Sequence, residues 1–207
     1  MKIMKNQNLF LRAILVLSMA LPLGAADAVK FNSVPNECKV RMEGTSTIHD
    51  WHADSGVIGG SLEVEPGFPD ASKGTVKPKA EVNIPVRSLK TSGGRKMDSV
   101  MQEHMKATDH KMIKYTVVEM SPKGANAAGG TDYEAKGTLT IAGTTRTNTM
   151  PVTVSKMGDT KIKVAGTTKL LMTSYGISPP APDIGLGLIK TGDEVTIKFE
   201  WVTEKAP

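Results

Sequence analysis

Val195-Thr-Ile-Lys-Phe-Glu-Trp201, near the end of a 207-residue chain, decides the fold. Its apolar residues Val195, Ile197, Phe199 and Trp201 alternate with Thr196, Lys198 and Glu200. That period of two gives a β-strand one dry face and one wet face. Working back through the chain, the same alternation recurs in Ile162, Val164, Gly166, Thr168 and Leu170, and in Val152 and Val154. Ala135, Gly137, Leu139 and Ile141 stand opposite Glu134, Lys136, Thr138 and Thr140. Further sets are Val82, Ile84 and Val86, then Ile58, Gly60, Leu62 and Val64, then Cys38, Val40 and Met42, and the stretch from Tyr115 to Met120. Turn residues at Pro66-Gly67, Gly124 to Asp132, Gly143, Gly158-Asp159 and Gly192-Asp193 separate them.

So many one-sided strands must close on themselves or stack, because open edges invite aggregation. Many links are short hairpins between sequential strands, which favours closure. The pattern predicts an all-β fold: an antiparallel up-and-down barrel of about eight strands, a size that side chains fill or that holds one small ligand. One segment changes period. From Arg95 to Lys106, Met97, Val100, Met101 and Met105 recur at helical spacing with His104 on the same side, after Gly93-Gly94 and with Asp98 in the first turn. This single amphipathic helix is expected to cover an open end or flank of the barrel as a lid or plug. Ser178-Pro-Pro-Ala-Pro-Asp-Ile-Gly185 is too rich in proline to pair centrally and is expected to line a rim.

Composition sets the wider bounds. A 39% hydrophobic content and a mean hydropathy of −0.19 exclude a polytopic membrane protein, and apolar residues recurring along nearly the whole length argue against an extended disordered chain. At the N-terminus Lys2, Lys5 and Arg12 precede the apolar run from Ala13 to Leu23, and Gly24-Ala-Ala26 and Ala26-Asp-Ala28 both fit a small-x-small cleavage site. The run is far shorter than the roughly 20 residues that span a bilayer. Residues 1–28 are therefore expected to be a secretory signal peptide, cleaved near Ala26 or Ala28, with residues 29–207 forming the barrel domain of a periplasmic or secreted protein. Removing three of the 26 basic and one of the 21 acidic residues leaves a net charge of +3. The remaining lysines alternate with apolar residues, as in Lys161-Ile-Lys-Val164, without a basic stripe or interleaved aromatics, which argues against nucleic acid as a partner.

Carriers of catalysis are missing from the sequence. Gly44-Thr-Ser-Thr-Ile48 lacks the closing glycine of a nucleophile elbow, and there is neither a dinucleotide fingerprint nor a P-loop. His49 and His52 lie three apart, a spacing that sends strand residues to opposite faces; with His104 and His110 they are read as polar rim residues rather than metal ligands. Cys38 has nothing nearby to lower its pKa and reads as a small buried strand residue. In an oxidising compartment it is also the one thiol through which a homodimer could be linked, unless burial prevents it. Two features suggest binding. Met97, Met101 and Met105 form a stripe of flexible, polarizable side chains suited to variable apolar ligands. Thr91-Ser-Gly-Gly-Arg-Lys96 places two cations at a helix start, where an anionic headgroup could rest, although a solvated loop is the preferred reading.

Val86-Arg-Ser-Leu-Lys-Thr-Ser-Gly-Gly94 leading into the helix with His104-Met105, Gly137-Thr-Leu-Thr-Ile-Ala-Gly-Thr-Thr-Arg146, Met150-Pro-Val-Thr-Val154, Thr173-Ser-Tyr-Gly-Ile177 and Gly192-Asp-Glu-Val-Thr-Ile197 follow one another across most of the chain. In this order and spacing they resemble the YceI-like family of periplasmic lipid-binding proteins. The resemblance implies an extended, lipocalin-like antiparallel barrel enclosing a long isoprenoid or related amphiphile, with no catalytic residues and no cofactor beyond a bound isoprenoid lipid or quinone. It leaves the lipid itself open. The chain departs from the family at Ala107-Thr-Asp-His110 and Lys111-Met-Ile-Lys-Tyr115, where an aromatic-rich segment and a proline are usual.

The expected function is therefore an exported, non-catalytic binding protein that makes transient contact with a membrane or membrane protein. The alternatives are an interaction module with a filled barrel and, last, a histidine-based metalloenzyme. The residues expected to face the ligand are Val82, Ile84, Leu139, Ile141, Val152, Val154, Ile162, Val164, Val195, Ile197 and Phe199 on the strands, with Met97, Met101 and Met105 on the lid.

Overall fold

The computed structural model describes residues 27–69, 74–127, 129–181 and 189–207. The expected signal segment lies outside these residues except for its last two positions. In chain order the strands are β1 (Val29–Ser33), β2 (Lys39–Ser46), β3 (Trp51–Ser55), β4 (Gly59–Val64), β5 (Lys79–Pro85), β6 (Lys90–Thr91), β7 (Met112–Ala125), β8 (Thr131–Ile141), β9 (Thr144–Met157), β10 (Lys161–Leu171) and β11 (Thr191–Lys205). A single helix among the described residues, α1 (Gly94–His104), lies between β6 and β7.

Eight strands close an antiparallel ring in the order β1, β4, β5, β7, β8, β9, β10, β11, with β11 returning to β1. The run β7 to β11 is the sequential meander that the short hairpins predicted. The first strands enter out of chain order, and the length of β11 explains why. β1 covers only Thr203 to Lys205 of that strand, through Ser33↔Thr203 to Phe31↔Lys205. The remaining backbone of β11 would be an open edge. It is covered instead by β2, from Val195↔Gly44 to Glu200↔Lys39, and β3 and β6 extend this flap.

The two ends of the barrel differ. At the β1 end Phe31, Phe68, Tyr133, Val154, Ile162, Val202 and Thr203 are all buried, and the rings of Phe68 and Tyr133 stack with centroids 5.7 Å apart. Cys38 joins this floor: its thiol, 2% exposed, donates to the carbonyl oxygens of Val34 and Val202. Burial pushes its pKa up, so the reactive thiolate is scarce as well as inaccessible. Cys38 is therefore expected to react with a soluble thiol reagent only on global unfolding. A colour change within seconds in native buffer would contradict this, and the same burial closes Cys38 to a disulfide with a second copy.

At the other end α1 spans the opening. It begins one residue before and ends two residues before the expected bounds, and Asp98 sits beyond its first turn. From there the Asp98 carboxylate, 12% exposed, reaches back to accept from the Thr91 amide at 2.7 Å and the Thr91 hydroxyl at 2.8 Å, which fastens the helix to β6. These bonds, aided by Lys90, hold its pKa below the ordinary carboxylate value. A group depressed in this way stabilises the fold fully above its unfolded pKa and ceases to as pH falls through the folded value. Asp98→Asn should therefore flatten the acid limb of the stability curve. An unchanged acid midpoint in circular dichroism would show that the bond does not hold the lid.

Candidate functional site: an apolar cavity under the helix

Above the packed floor the barrel is hollow. The cavity measures about 490 Å³ and opens beside α1, within the roughly 300–1,000 Å³ of small-molecule sites. Inward residues of β5 and β7 to β11 form its wall, joined by Val40, Met42 and Trp51 from the flap and Met97, Val100, Met101 and Met105 from the helix. Of the fourteen residues expected to face a ligand, twelve line it: Val82, Ile84, Met97, Met101, Met105, Leu139, Ile141, Val152, Val164, Val195, Ile197 and Phe199. Val154 and Ile162 do not. They share the inward parity but belong to the floor, where the lumen is filled. Val82, Ile84, Ile141, Val164, Ile197 and Phe199 are only partly buried although they point inward, because what they face is cavity.

Three aromatic rings reach over a glycine of a neighbouring strand. A Cβ on Gly44 would stand 2.3 Å from the Trp51 ring, one on Gly137 2.7 Å from Tyr115, and one on Gly166 2.7 Å from Phe199. Each ring thus takes the space that a side chain would have used, and the wall stays thin without losing apolar cover. The Tyr115 hydroxyl donates to the Ala135 carbonyl at 3.3 Å, and burial pushes its pKa up to about 12. It therefore stays neutral inside the cavity at physiological pH.

The wall is seamed between β9 and β10. β8 pairs with β9 along the whole of its own length to the hairpin, but the β9–β10 ladder stops at Val152↔Gly166. The next residue, Pro151, has no N–H to offer on the side facing β10. A short 3-10 turn, Met172–Tyr175, fills the gap, with Tyr175 buried against the cavity. It is tied down on both sides: the Arg146 guanidinium donates to the Ser174 carbonyl, and the Thr173 amide and hydroxyl donate to Asp193.

The histidines do not converge. His49 lines the mouth and His52 points outward, 3.6 Å from Asp54. His104 bonds the Ser178 carbonyl at 2.8 Å, and the His110 ring packs over Gly143. No cluster of three metal-ligating side chains occurs among the described residues.

Residues 30–203 match the sequence profile of the YceI-like domain. The chain belongs to the YceI-like family. Among solved structures, Burkholderia cenocepacia BcnA aligns with a TM-score of 0.62 at 20% identity, covering 82% of this chain and 98% of that one. A polyisoprenoid-binding domain from Saccharophagus degradans, implicated in plant cell wall breakdown, aligns with a TM-score of 0.62 at 14% identity, covering 85% and 98%. At such identities the likeness speaks for the fold. No curated protein matches the chain significantly in sequence.

In this YceI-like protein the alternation of strands also points inward at Met42, Tyr115 and Met150, which line the cavity, whereas it would turn Met120 outward. Met120 faces inward because β7 bulges between Val117 and Glu119, turning Val118 out to 50% exposure. Tyr175 and Leu89 gave no such signal, since neither sits on a periodic strand. Of the proline-rich stretch Ser178 to Gly185, Pro180 lines the mouth as expected of a rim, and residues 182–185 lie outside the described residues.

Proposed function

We propose that this protein is an exported carrier that holds one long apolar amphiphile, of isoprenoid or quinone type, with its tail in the barrel. The observation that carries the reading is the hollow, almost wholly hydrocarbon lumen beneath an amphipathic helix. An apolar tail is favoured there at about 25 cal/mol per Å² removed from water, with few polar contacts needed. The family match and the polyisoprenoid-binding domain of the same fold support this chemistry and favour binding over catalysis. The basic, apolar, small-residue plan of residues 1–28 supports export to the periplasm or beyond.

Native mass spectrometry of the protein recovered from the cell envelope, followed by solvent extraction, tests both halves. The expected result is a mass starting near Asp27 or Val29 with one stoichiometric long-chain lipid released on extraction. A chain still carrying its first residues sinks the export reading. An empty barrel that takes up no isoprenoid lipid or quinone when offered sinks the carrier reading.

A further inference from the structure

Six large hydrophobic side chains stand out as exposed among the described residues, and three of them are gathered at one place. Ile48 is 63% exposed, Met97 40% and Leu171 46%, and all three line the cavity mouth. They come from unrelated elements: the turn between β2 and β3, the helix α1 and the end of β10. The other three, Val57, Val118 and Met157, do not line it. An apolar ring around the opening of an apolar cavity is a surface waiting for a cover.

Charge indicates which cover. Lys96 lines this mouth, Arg95 precedes it on the helix, Lys106 directly follows the lining residue Met105, and Lys190 stands between the lining residues Ile189 and Thr191. The Lys106 ammonium comes within 3.9 Å of where a Cβ on Gly176 would stand, beside the 3-10 turn. None of the four enters an ion pair among the described residues. Among the described residues of these segments Asp50, Glu103 and Asp109 also lack an ion pair and Asp193 is held only by Thr173, while Asp98 pairs with Lys90. Lys111 after the helix and Arg146 beside the 3-10 turn add two more unpaired cations, so positive charge is in modest excess. Hydrophobic side chains that project through a ring of excess cations match the headgroup layer of an anionic bilayer.

We propose that the mouth of the barrel seats on an anionic lipid surface, inserting Ile48, Met97 and Leu171 between headgroups while the four cations rest on them. The proposal rests on the carrier reading, since docking mouth-down lets a tail pass between bilayer and cavity without crossing water.

The test uses the exported form of the protein, its first residue fixed by intact mass, in flotation with vesicles of phosphatidylglycerol and phosphatidylcholine or of phosphatidylcholine alone. Wild type should float with the anionic vesicles, less so as salt rises, and should stay behind with the neutral ones. The triple variant Ile48→Ser, Met97→Ser, Leu171→Ser should lose roughly tenfold or more in vesicle affinity, and Lys96→Glu with Lys190→Glu should lose a comparable factor. Val118→Ser, exposed but away from the mouth, should match wild type. All these sites are at the surface, so unchanged thermal unfolding identifies variants that still fold. Absence of wild-type flotation, equal flotation with neutral vesicles, or an undiminished triple variant overturns the proposal. Extracted lipid is measured separately: an empty protein that docks would refute the carrier reading alone, and a loaded protein that never docks would refute the docking alone.

Discussion

Ile197→Trp is expected to empty the barrel without unfolding it. Ile197 lies midway along β11, between Thr168 of β10 and Met42 of β2, with its side chain in the cavity. In a tightly packed core the added ring would cost stability through strain. Here it enters open space and gains apolar contact, so the thermal midpoint should hold or rise. The cargo suffers instead. If the ring denies a tail roughly 100 Å² of contact, the loss at about 25 cal/mol per Å² is about 2.5 kcal/mol, on the order of 60-fold in affinity. The decisive reading is paired: lipid released per mole of protein, and the midpoint of unfolding. Full occupancy would mean that the tail does not pass Ile197. Equal loss of lipid and stability would mean that the space is not available in solution.

The second large effect lies on the fold itself. Gly60 in β4 holds φ at +140°, and a Cβ built there would lie 2.0 Å from the Glu81 carbonyl oxygen of β5. No rotamer relieves a clash with a backbone atom, so Gly60→Val must open the β4–β5 ladder that helps close the ring. A cost of about 3 kcal/mol or more follows, which for a domain of this size lowers the melting temperature by roughly 10 °C. Gly59→Val is the control, since its Cβ would meet nothing closer than the Asn83 carbonyl at 3.7 Å. Similar melting temperatures for the two variants would show that the close approach at Gly60 relaxes freely.

Legibility in the sequence followed the range of the forces involved. The period of two in Val195 to Trp201 is imposed locally by the pleat, so it could be read without knowing the partner strands. Most of the wall was therefore legible, down to Leu139 and Val164. The depth of each residue was not. Val154 and Val152 differ by one pleat, yet the first is packed in the floor and the second lines the cavity, and only the closure of the ring separates them. The seam depended on a single residue type at one register position, Pro151 beside Gly166, and strand registers are long-range facts. Tyr175 enters the wall because that seam exists, so it could not be found before it. The helix was readable from its spacing, whereas the backward reach of Asp98 to Thr91 depends on how β6 approaches it.

The placement of the two tryptophans gives the protein a built-in optical depth gauge. Trp51 lies at the mouth with its indole N–H on the Thr45 carbonyl, while Trp201, 4% exposed, lies deep in the cavity with its indole N–H 2.6 Å from the Ser33 hydroxyl. They are the chain's only two indoles. Intrinsic fluorescence therefore reports from two heights at once, a wetter and redder emitter above a drier and bluer one. A tail brominated at its tip would darken the blue component when fully seated, and one brominated near its head would darken the red. Cargo length, orientation and the order of loading are thus open to measurement in unlabelled protein.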